Sequence, residues 1–395
     1  IINKDSNLYK KNQKFIFLIN RIEDILKVEF IDIYYKEFDT LFENYLNLIK
    51  NLRKNTNSTI YINSFHHSFI PITQNYTGNN TIEFLINKYN EELYKLGEEL
   101  SDVIIINSNI FSNDNKIDMK SYFIGNYIYS YDYSKKLAKY MYGLIINKLG
   151  KSIRLIVLDL DNTLWSGVVG EDGVHGIKIG ETYPGNCFTY FQKALKSLTN
   201  IGISLAICSK NDEKIVKEVF NERNEMILKY DDFICKKINW TNKSENILNI
   251  SKEVGLGLSN ILFIDDNPIE RAEVKNILPN INILEIDIQS PEDYTTILLD
   301  YEKMVINKIL EEDMKRNEKY KQNLEFNNVK SNFDDIKEFY KSLNSKVYLN
   351  KLSEKNIDRC ESLINKTNQF NFTTIRLSRN QIIDMNNSNF EFYVI

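Results

Sequence analysis

Short runs of consecutive apolar residues alternate along this chain with longer stretches in which apolar residues recur every three or four positions. The continuous runs are typical of strands buried on both faces of a parallel sheet, and they lie at 155–158, 203–208 and 262–264. Helical periodicity between them is clearest at Phe188, Phe191, Leu195 and Leu198. We therefore predict an α/β fold with a parallel sheet, in which ligands bind beyond the carboxyl ends of the strands.

The same alternation is present earlier in the chain. Residues 1–150 show strand patterns around 15–19, 58–62 and 103–106 and a helical pattern over 82–101. This succession predicts a separate α/β domain ahead of the one that holds the three apolar runs.

Three further regions complete the predicted organisation. The domain that holds the apolar runs spans residues 151–290. Residues 291–345 predict a helical linker, because acidic and basic residues are interspersed there as on a solvated face. Residues 346–395 follow a strand, helix, strand pattern and predict the start of another module.

Two carboxylates directly follow the first apolar run of the central domain. Asp159 and Asp161 flank Leu160, so the alternation of an extended chain points both carboxylates to the same side. One of them can attack phosphorus while the other handles a proton, with a hard cation between them. The alternative is an acidic turn that caps the strand, but the residues after the next two strands argue against it.

Polar residues also follow the second apolar run and precede a later helix. Ser209, Lys210 and Asn211 open the helix after that run, where a hydroxyl and free amide N–H groups would hold phosphate oxygens. Lys243 comes just before another helix, where an ammonium could neutralise charge on a transferred phosphoryl group. Taken singly, each residue is equally consistent with a structural cap or a solvated lysine.

The third apolar run ends in a second carboxylate pair, Asp265 and Asp266. The next residues have the pattern of a helix start, with Asn267 as N-cap, Pro268 as first helical residue and Glu270 as capping-box acid. Asp265 is then a natural Mg²⁺ ligand, because carboxylate oxygens suit this cation. No Cys/His cluster in the sequence indicates a zinc site.

Composition excludes several classes of protein. The 395 residues carry a formal net charge of −4, which argues against a nucleic-acid-binding surface. No stretch approaches the roughly 18 consecutive apolar residues of a membrane span. Four unclustered cysteines and the lack of a signal-like segment predict free thiols in a cytoplasmic protein. The sequence starts at Ile1 and stops within strand-like residues, so we expect both ends to be truncated.

These ordered motifs resemble the haloacid dehalogenase (HAD) superfamily of aspartyl phosphotransferases, over about residues 152–290. The more specific likeness is to its FkbH-like branch, and it lies in the stretches 159–173, 208–212, 265–274, 312–316 and 363–374. The resemblance implies a Rossmann-like parallel sheet without a large cap domain. It also implies an SGNH-hydrolase-like domain before this sheet and the start of an acetyltransferase-like (GNAT) module after it.

The resemblance implies a role for each candidate residue. Asp159 would be the nucleophile that forms an aspartyl-phosphate, and Asp161 would be the general acid/base. The residues implied to bind the phosphoryl group are Ser209, Lys210, Asn211 and Lys243, and Lys243 would also assist catalysis. The implied Mg²⁺ ligands are Asp159, Asp161, Asp265 and Asp266.

The FkbH-like branch further implies a catalyst that takes a glyceryl unit from 1,3-bisphosphoglycerate onto an enzyme cysteine. It would remove the 3-phosphate and pass the acyl group to the phosphopantetheine thiol of an acyl carrier protein, for polyketide-type biosynthesis. The spacings from Asp161 to Ser209 and from Asn211 to Asp265 hold a hairpin flap over 166–180 and helices, with no room for a large cap. An open site favours a macromolecular partner, since small substrates usually need closure to exclude water.

Cys208 is the candidate for the acyl-bearing cysteine. It matches the FkbH-like motif beside Ser209 and is near a helix N-terminus, which stabilises a thiolate. Strict strand alternation would instead make Cys208 a small buried hydrophobe, so the catalytic interpretation requires the chain to leave the strand by Cys208. The cysteines without motif support are predicted to be structural, and they are Cys187, Cys235 and Cys360.

The regions on either side of residues 151–290 contain few candidate catalytic residues. His66 and His67 follow a predicted strand and His175 lies in the flap, but packing or surface roles are favoured for them. Residues 1–150 contain no Asp-x-x-His pair, so this domain is predicted to be a scaffold or a carrier-protein dock. Gly257 is the last glycine in the sequence, which leaves no glycine loop for a CoA pyrophosphate and argues against acetyl transfer.

Two other classes of function stay open at this point. One is a phosphatase that acts on a small phosphorylated metabolite without thioester chemistry. The other is a non-catalytic docking subunit that retains the fold.

Overall fold

The computed structural model describes residues 13–28, 35–66, 81–108, 117–307, 309, 311–322, 346, 348–366, 375–388 and 390–394. It divides into two compact units, one formed by Ile1–Met141 with Val347–Ile395 and the other by Tyr142–Lys346. The domain boundaries inferred from the motifs stay predictions.

The first unit begins with a three-stranded parallel sheet in the order β1-β2-β3. Its strands are β1 (Phe15–Leu18), β2 (Thr59–Asn63) and β3 (Val103–Ile106), so the three predicted strands are confirmed to within one residue. The helices of this part are α1 (Ile22–Leu26), α2 (Lys36–Asn55), α3 (Ile82–Glu99), α4 (Met119–Gly125) and α5 (Tyr131–Lys148), and α5 belongs to the second unit from Tyr142 onward. The SGNH-hydrolase-like identity stays a prediction, and His67 lies outside the described residues.

The second unit contains a five-stranded parallel sheet in the order β6-β5-β4-β7-β8, which confirms the predicted parallel α/β architecture. Its strands are β4 (Leu155–Leu158), β5 (Ser204–Ser209), β6 (Phe233–Ile238), β7 (Ile261–Asp265) and β8 (Asn282–Glu285). Its helices are α6 (Val169–Asp172), α7 (Gly185–Asn200), α8 (Glu213–Glu222), α9 (Lys243–Val254), α10 (Pro268–Ile277), α11 (Tyr294–Leu299) and α12 (Glu311–Met314). Residues 316–322 are also helical.

Strand β4 is buried on both faces, which explains its unbroken apolar sequence. Ile156 and Leu158 pack into a core with the apolar residues of α7 and α8. Leu155 and Val157 point to the opposite face and pack with residues of α9 and α10. Burial on both sides holds the carboxyl end of β4 in place, where the first carboxylate pair begins.

The predicted flap over 166–180 is present, and its ends pair at Ser166 and Lys178 as an isolated antiparallel bridge. It is not a simple hairpin, because α6 interrupts it. Between β4 and β5 the chain forms this flap and α7, and between β5 and β7 it forms α8, β6 and α9. All of these residues are described, so no cap domain is inserted between β4 and β7.

The C-terminal part returns to the first unit as a two-stranded antiparallel sheet of β9 (Asn350–Lys351) and β10 (Tyr393–Val394). Between these strands lie α13 (Ile357–Lys366) and α14 (Arg379–Asn386), whereas the sequence pattern predicted one helix. Residues 323–345 of the predicted linker and 367–374 of the last FkbH-like stretch lie outside the described residues. The GNAT-like identity stays a prediction.

No helix in the described part of the chain is both long and apolar enough to cross a membrane.

Candidate active site

Charged side chains meet at the carboxyl ends of the central strands. Asp159 directly follows β4, and its main-chain N–H donates to the carbonyl of Ile264 on β7 at 3.0 Å. Lys243, the first residue of α9, is almost completely buried. Its ammonium contacts Asp159 Oδ2 at 2.9 Å and Asp265 Oδ2 at 2.5 Å. The structure therefore joins three predicted site residues that lie as much as 106 positions apart, from Asp159 to Asp265.

The second carboxylate pair is held by main-chain contacts around the start of α10. Asp265 ends β7 and is fully buried, and its Oδ1 accepts a hydrogen bond from Asn267 N at 2.9 Å. Arg271 donates to the carbonyl oxygens of Asp265 and Asp266 at 2.6 and 2.8 Å. These bonds fix the turn that presents both carboxylates. The N-cap predicted at Asn267 is confirmed, since its side chain accepts from the amide of Ile269.

Three carboxylates form a group that could hold a metal ion. One oxygen each from Asp159, Asp265 and Asp266 lies within 4.8 Å of the others. Asp159 Oδ1 is buried and accepts no hydrogen bond from the described residues, so its lone pairs are available to a cation. Clustered carboxylate oxygens are the donors that Mg²⁺ prefers, so these residues fit that ion.

Electrostatics around this carboxylate cluster also favour a cation. Burial, with the negative charge of Asp159 added, raises the pKa of Asp265 to about 6 despite the opposing charge of Lys243. Burial, followed by the charges of Asp159 and Asp265, raises the pKa of Asp266 to about 7. Burial also lowers the pKa of Lys243, but Asp159 and Asp265 together outweigh it and the net shift is upward. One ammonium thus leaves the three carboxylates incompletely neutralised.

Asp161, predicted both as acid/base and as metal ligand, is engaged differently. Its Oδ1 accepts hydrogen bonds from Trp165 Nε1 at 2.9 Å and Val169 N at 3.0 Å. Its Oδ2 accepts from Asn211 Nδ2 at 2.9 Å. Asp161 is therefore outside the carboxylate group formed by Asp159 and the β7 pair, and its predicted side-chain contact with the metal stays a prediction.

Three of the four predicted phosphate-binding residues, Ser209, Lys210 and Asn211, lie together at the end of β5. Ser209 is its last residue and is buried, and Asn211 Nδ2 lies 3.3 Å from Ser209 Oγ. The next helix, α8, begins at Glu213 after the N-cap Asp212. Ser209 therefore ends the strand and Lys210 and Asn211 lie in a loop, so the three residues do not open the helix as predicted.

Lys210 makes an ion pair from this loop. Its ammonium contacts Glu270 of α10 at 2.6 Å, whereas the sequence pattern suggested a capping-box role for Glu270. Because β4 lies between β5 and β7, this pair spans the strand end that carries Asp159. The side chain of Lys210 therefore borders the predicted phosphoryl site.

The structure leaves Cys208 on the strand. Strand β5 continues through Ser209 because Cys208 and Ser209 pair with Lys237 and Ile238 of β6, so the expectation that the chain leaves the strand by Cys208 is wrong. The thiol is fully buried in the apolar core beneath α9 and donates to the carbonyl of Lys243 at 3.7 Å. Burial raises the pKa of Cys208, which disfavours the reactive thiolate in this conformation.

The remaining candidates make other contacts. Cys235 and Cys360 are buried and Cys187 is half-buried, and all are free thiols. His175 is exposed beside Glu222 at 3.5 Å. His66 packs against the rings of Tyr129 and Tyr133.

Sequence reasoning missed the residues that hold the site together. Trp165 and Arg271 stand within the FkbH-like stretches, but nothing in their spacing identified them as partners of Asp161 and of the β7 turn. Arg223 donates to the flap carbonyls of Val174 and Ile177 at 2.9 Å each. Its partners in the flap are main-chain atoms, which carry no sequence signal, so this contact could not have been found from the sequence.

The chain is similar to several solved structures. One is the N-terminal part of the protein BF1531 from Bacteroides fragilis, which contains a phosphatase domain and is complexed with Mg. It shares 26% identity at a TM-score of 0.67, over 78% of this chain and 83% of that chain. The cobalt-bound deoxy-D-mannose-octulosonate 8-phosphate phosphatase from Haemophilus influenzae shares 17% identity at a TM-score of 0.27, over 40% of this chain and 93% of that chain.

A third similar structure is the 3-deoxy-D-manno-octulosonate 8-phosphate phosphatase from Moraxella catarrhalis, with 19% identity at a TM-score of 0.25, over 40% of this chain and 94% of that chain. No known protein-family profile matches the sequence, and no curated protein is significantly similar to it. The carboxylate geometry at β4 and β7 and the similarity to the B. fragilis structure together support an enzyme of the HAD phosphatase type.

Proposed function

We propose that the unit Tyr142–Lys346 is a Mg²⁺-dependent phosphatase that works through an aspartyl-phosphate on Asp159. The observation that carries this proposal is the group of three carboxylates, two of which pair with the buried ammonium of Lys243. Within this group Asp159 Oδ1 accepts no hydrogen bond from the described residues. Buried carboxylates with raised pKa values and incomplete neutralisation are typical of functional sites. The B. fragilis structure, which contains a phosphatase domain complexed with Mg, supports the same assignment.

The proposed reaction has two steps. Asp159 attacks the phosphorus atom, the bond from phosphorus to the leaving oxygen breaks, and Asp161 gives its proton to that oxygen. Asp161 then takes a proton from a water molecule that attacks the aspartyl-phosphate, which releases inorganic phosphate and restores Asp159. Lys243 holds one oxygen of Asp159 throughout and offers positive charge to the phosphoryl group.

Asp159, Asp265 and Asp266 would hold the Mg²⁺ ion. When bound, this ion would neutralise charge on the phosphoryl oxygens. The fit rests on the donor set and on the unengaged Oδ1 of Asp159.

The finer proposal is that the substrate is a phosphoglyceryl unit carried as a thioester and delivered to an acyl carrier protein. The length of the FkbH-like stretches supports it, and so does the lack of an inserted cap between β4 and β7, which leaves room for a carrier-borne arm. In this scheme a thiolate attacks the acyl phosphate of 1,3-bisphosphoglycerate and releases the 1-phosphate, after which Asp159 removes the 3-phosphate. The burial of Cys208 means that this thiol must become exposed before it can act.

One experiment tests both levels of the proposal. The protein is incubated with Mg²⁺, 1,3-bisphosphoglycerate and an acyl carrier protein, and the intact masses of both proteins are measured. Asp159→Asn should accumulate an adduct heavier by one phosphate group than that of the wild type. If Cys208→Ala still carries the adduct, another thiol holds it, and if no protein carries one while phosphate is released, the small-molecule phosphatase is correct. Undiminished phosphate release by Asp159→Asn would refute the aspartyl-phosphate itself.

A further inference from the structure

The carboxylate of Asp161 is held from two sides by side chains with no other evident chemistry. Trp165 is completely buried, and its indole N–H reaches Asp161 Oδ1 at 2.9 Å. Asn211, 7% exposed, donates its amide to Asp161 Oδ2 at 2.9 Å. The main-chain amide of Val169 adds a second donor to Oδ1 at 3.0 Å. Each oxygen of Asp161 therefore has a defined donor.

Both side chains are themselves fixed. The Trp165 ring packs edge-on against Phe220, with ring centroids 6.2 Å apart, inside the core under α7 and α8. Asn211 is in the loop that joins β5 to α8, and its amide also contacts Ser209 Oγ. A carboxylate that accepts hydrogen bonds from two fixed side chains rotates less freely than a carboxylate that accepts only one.

The side chain of Asn211 is engaged with Asp161, because its amide nitrogen donates to Asp161 Oδ2. The phosphate-binding role suggested by the sequence for this loop stays a prediction. A group that transfers a proton must lie within hydrogen-bond reach of the leaving oxygen, and small displacements of such a group reduce the rate strongly.

We propose that Trp165 and Asn211 are positioning residues that orient Asp161 for proton transfer to the leaving group. This inference rests on the proposed function, because it assumes that Asp161 is the acid/base of a phosphatase. It assigns neither residue a contact with the phosphoryl group. Loss of either donor therefore impairs the proton-transfer steps and leaves attack by Asp159 intact.

Two substrates with the same phosphoryl group separate these steps. Glycerol phosphate has an alkoxide leaving group that needs a proton, whereas the nitrophenolate of p-nitrophenyl phosphate departs without one. Trp165→Phe, which removes the indole N–H and keeps a ring, and Asn211→Ala should lower kcat/KM for glycerol phosphate by about tenfold or more, within the usual range for general acid catalysis. The value for p-nitrophenyl phosphate should change by less than about threefold, because its first step needs no acid.

The second step gives an independent signature. Hydrolysis of the aspartyl-phosphate needs Asp161 as a base, so both variants should release about one equivalent of nitrophenol rapidly and then turn over slowly. A residue that merely supports the fold would reduce the number of active sites and produce no such burst.

Trp240 provides a matched control, since it is the other of the two tryptophans and its side chain is 76% exposed. Trp240→Phe should leave the ratio of the two kcat/KM values unchanged. Should Trp165→Phe fail to fold, Asn211→Ala carries the test alone. An equal decrease for both substrates, or no decrease in either variant, would overturn the inference, whereas a wild-type protein without Mg²⁺-dependent hydrolysis would overturn the proposed function itself.

Discussion

The two parallel sheets of this protein end in different kinds of side chain. At the carboxyl edge of the sheet β1-β2-β3, neutral residues satisfy one another. Asn63 accepts from the main-chain amide of Asn20 at 2.7 Å and donates to the carbonyl of Asn20 at 2.9 Å. Ser64 and Ser108 exchange hydroxyl and main-chain hydrogen bonds between β2 and β3 in the same way.

The edge of the five-stranded sheet concentrates charge instead. Asp159 and Asp265 share one ammonium, from Lys243, and Asp266 adds a third carboxylate to the group. Asp159 Oδ1 accepts no hydrogen bond from the described residues. Buried charge that is incompletely paired costs stability, so it persists where function requires it. The comparison teaches that a shared architecture does not specify a shared chemistry, since the first edge pairs neutral groups with one another and the second concentrates charge.

The largest expected effect comes from the charged edge. Asp159→Asn removes the proposed nucleophile while preserving its shape, so phosphate release should fall by about 10³-fold or more. Steady-state assays with a generic phosphate ester measure this, and circular dichroism with thermal unfolding checks the fold. Near-normal turnover by this variant would show that Asp159 at the charged edge is not the nucleophile.

Metal dependence should give the next largest effect. Chelation with EDTA should stop turnover and Mg²⁺ should restore it. Asp265→Ala should weaken Mg²⁺ binding by about 10-fold to 100-fold and more than Asp266→Ala does, because Asp265 is the fully buried member of the pair. Titration of activity with Mg²⁺ compares the two variants, and full activity in excess EDTA or a requirement for zinc would show that the carboxylates are misassigned.

A substitution at the neutral edge of the sheet β1-β2-β3 should lower stability and leave activity unchanged. Asn63→Ala leaves main-chain groups of Asn20 without their partners, so the free energy of unfolding should fall by about 1–3 kcal/mol. Urea denaturation measures this change. Under stabilising conditions the kcat for a phosphate ester should equal that of the wild type, and a large loss of kcat would mean that the first sheet takes part in the chemistry.

The smallest expected effect concerns Asp266 in the absence of metal. Its pKa is raised to about 7 in the folded protein, so ionisation of Asp266 opposes folding at higher pH. Because Asp266 is partly exposed, solvent screens much of this cost. Asp266→Asn should therefore stabilise the protein by only about 1 kcal/mol at pH 8 in EDTA, with the gain decreasing as the pH falls and absent near pH 4. Denaturation curves at both pH values test this, and a variant that is less stable at pH 8 would contradict the electrostatic argument.

Much of the candidate site could be predicted because strand ends are visible in the sequence. The apolar runs located β4, β5 and β7, and the carboxyl-end rule then brought Asp159 and Asp265 to one edge. The hydrogen-bond partners of these residues could not be predicted, because contacts between distant positions leave no periodic signal. Lys210, for example, meets Glu270 across the end of β4.

Cys208 shows where local pattern and tertiary structure diverge. Its motif position beside Ser209 suggested an accessible thiol, yet pairing with β6 extends β5 past the point where the chain was expected to turn. The alternation that this extension enforces directs Cys208 into the apolar core. Whether a strand continues for one more residue depends on its neighbour, which the strand's own sequence does not encode.

By itself the sequence determined the parallel α/β architecture and the identity of the carboxylates, since both follow from local hydrophobic periodicity and from the residues at strand ends. Tertiary structure alone decided that Asp159 joins Asp265 and Asp266 while Asp161 is held by Trp165 and Asn211. The reason is that the order of strands and the packing of side chains bring together positions far apart in the chain, and such contacts depend on the whole fold rather than on any one segment.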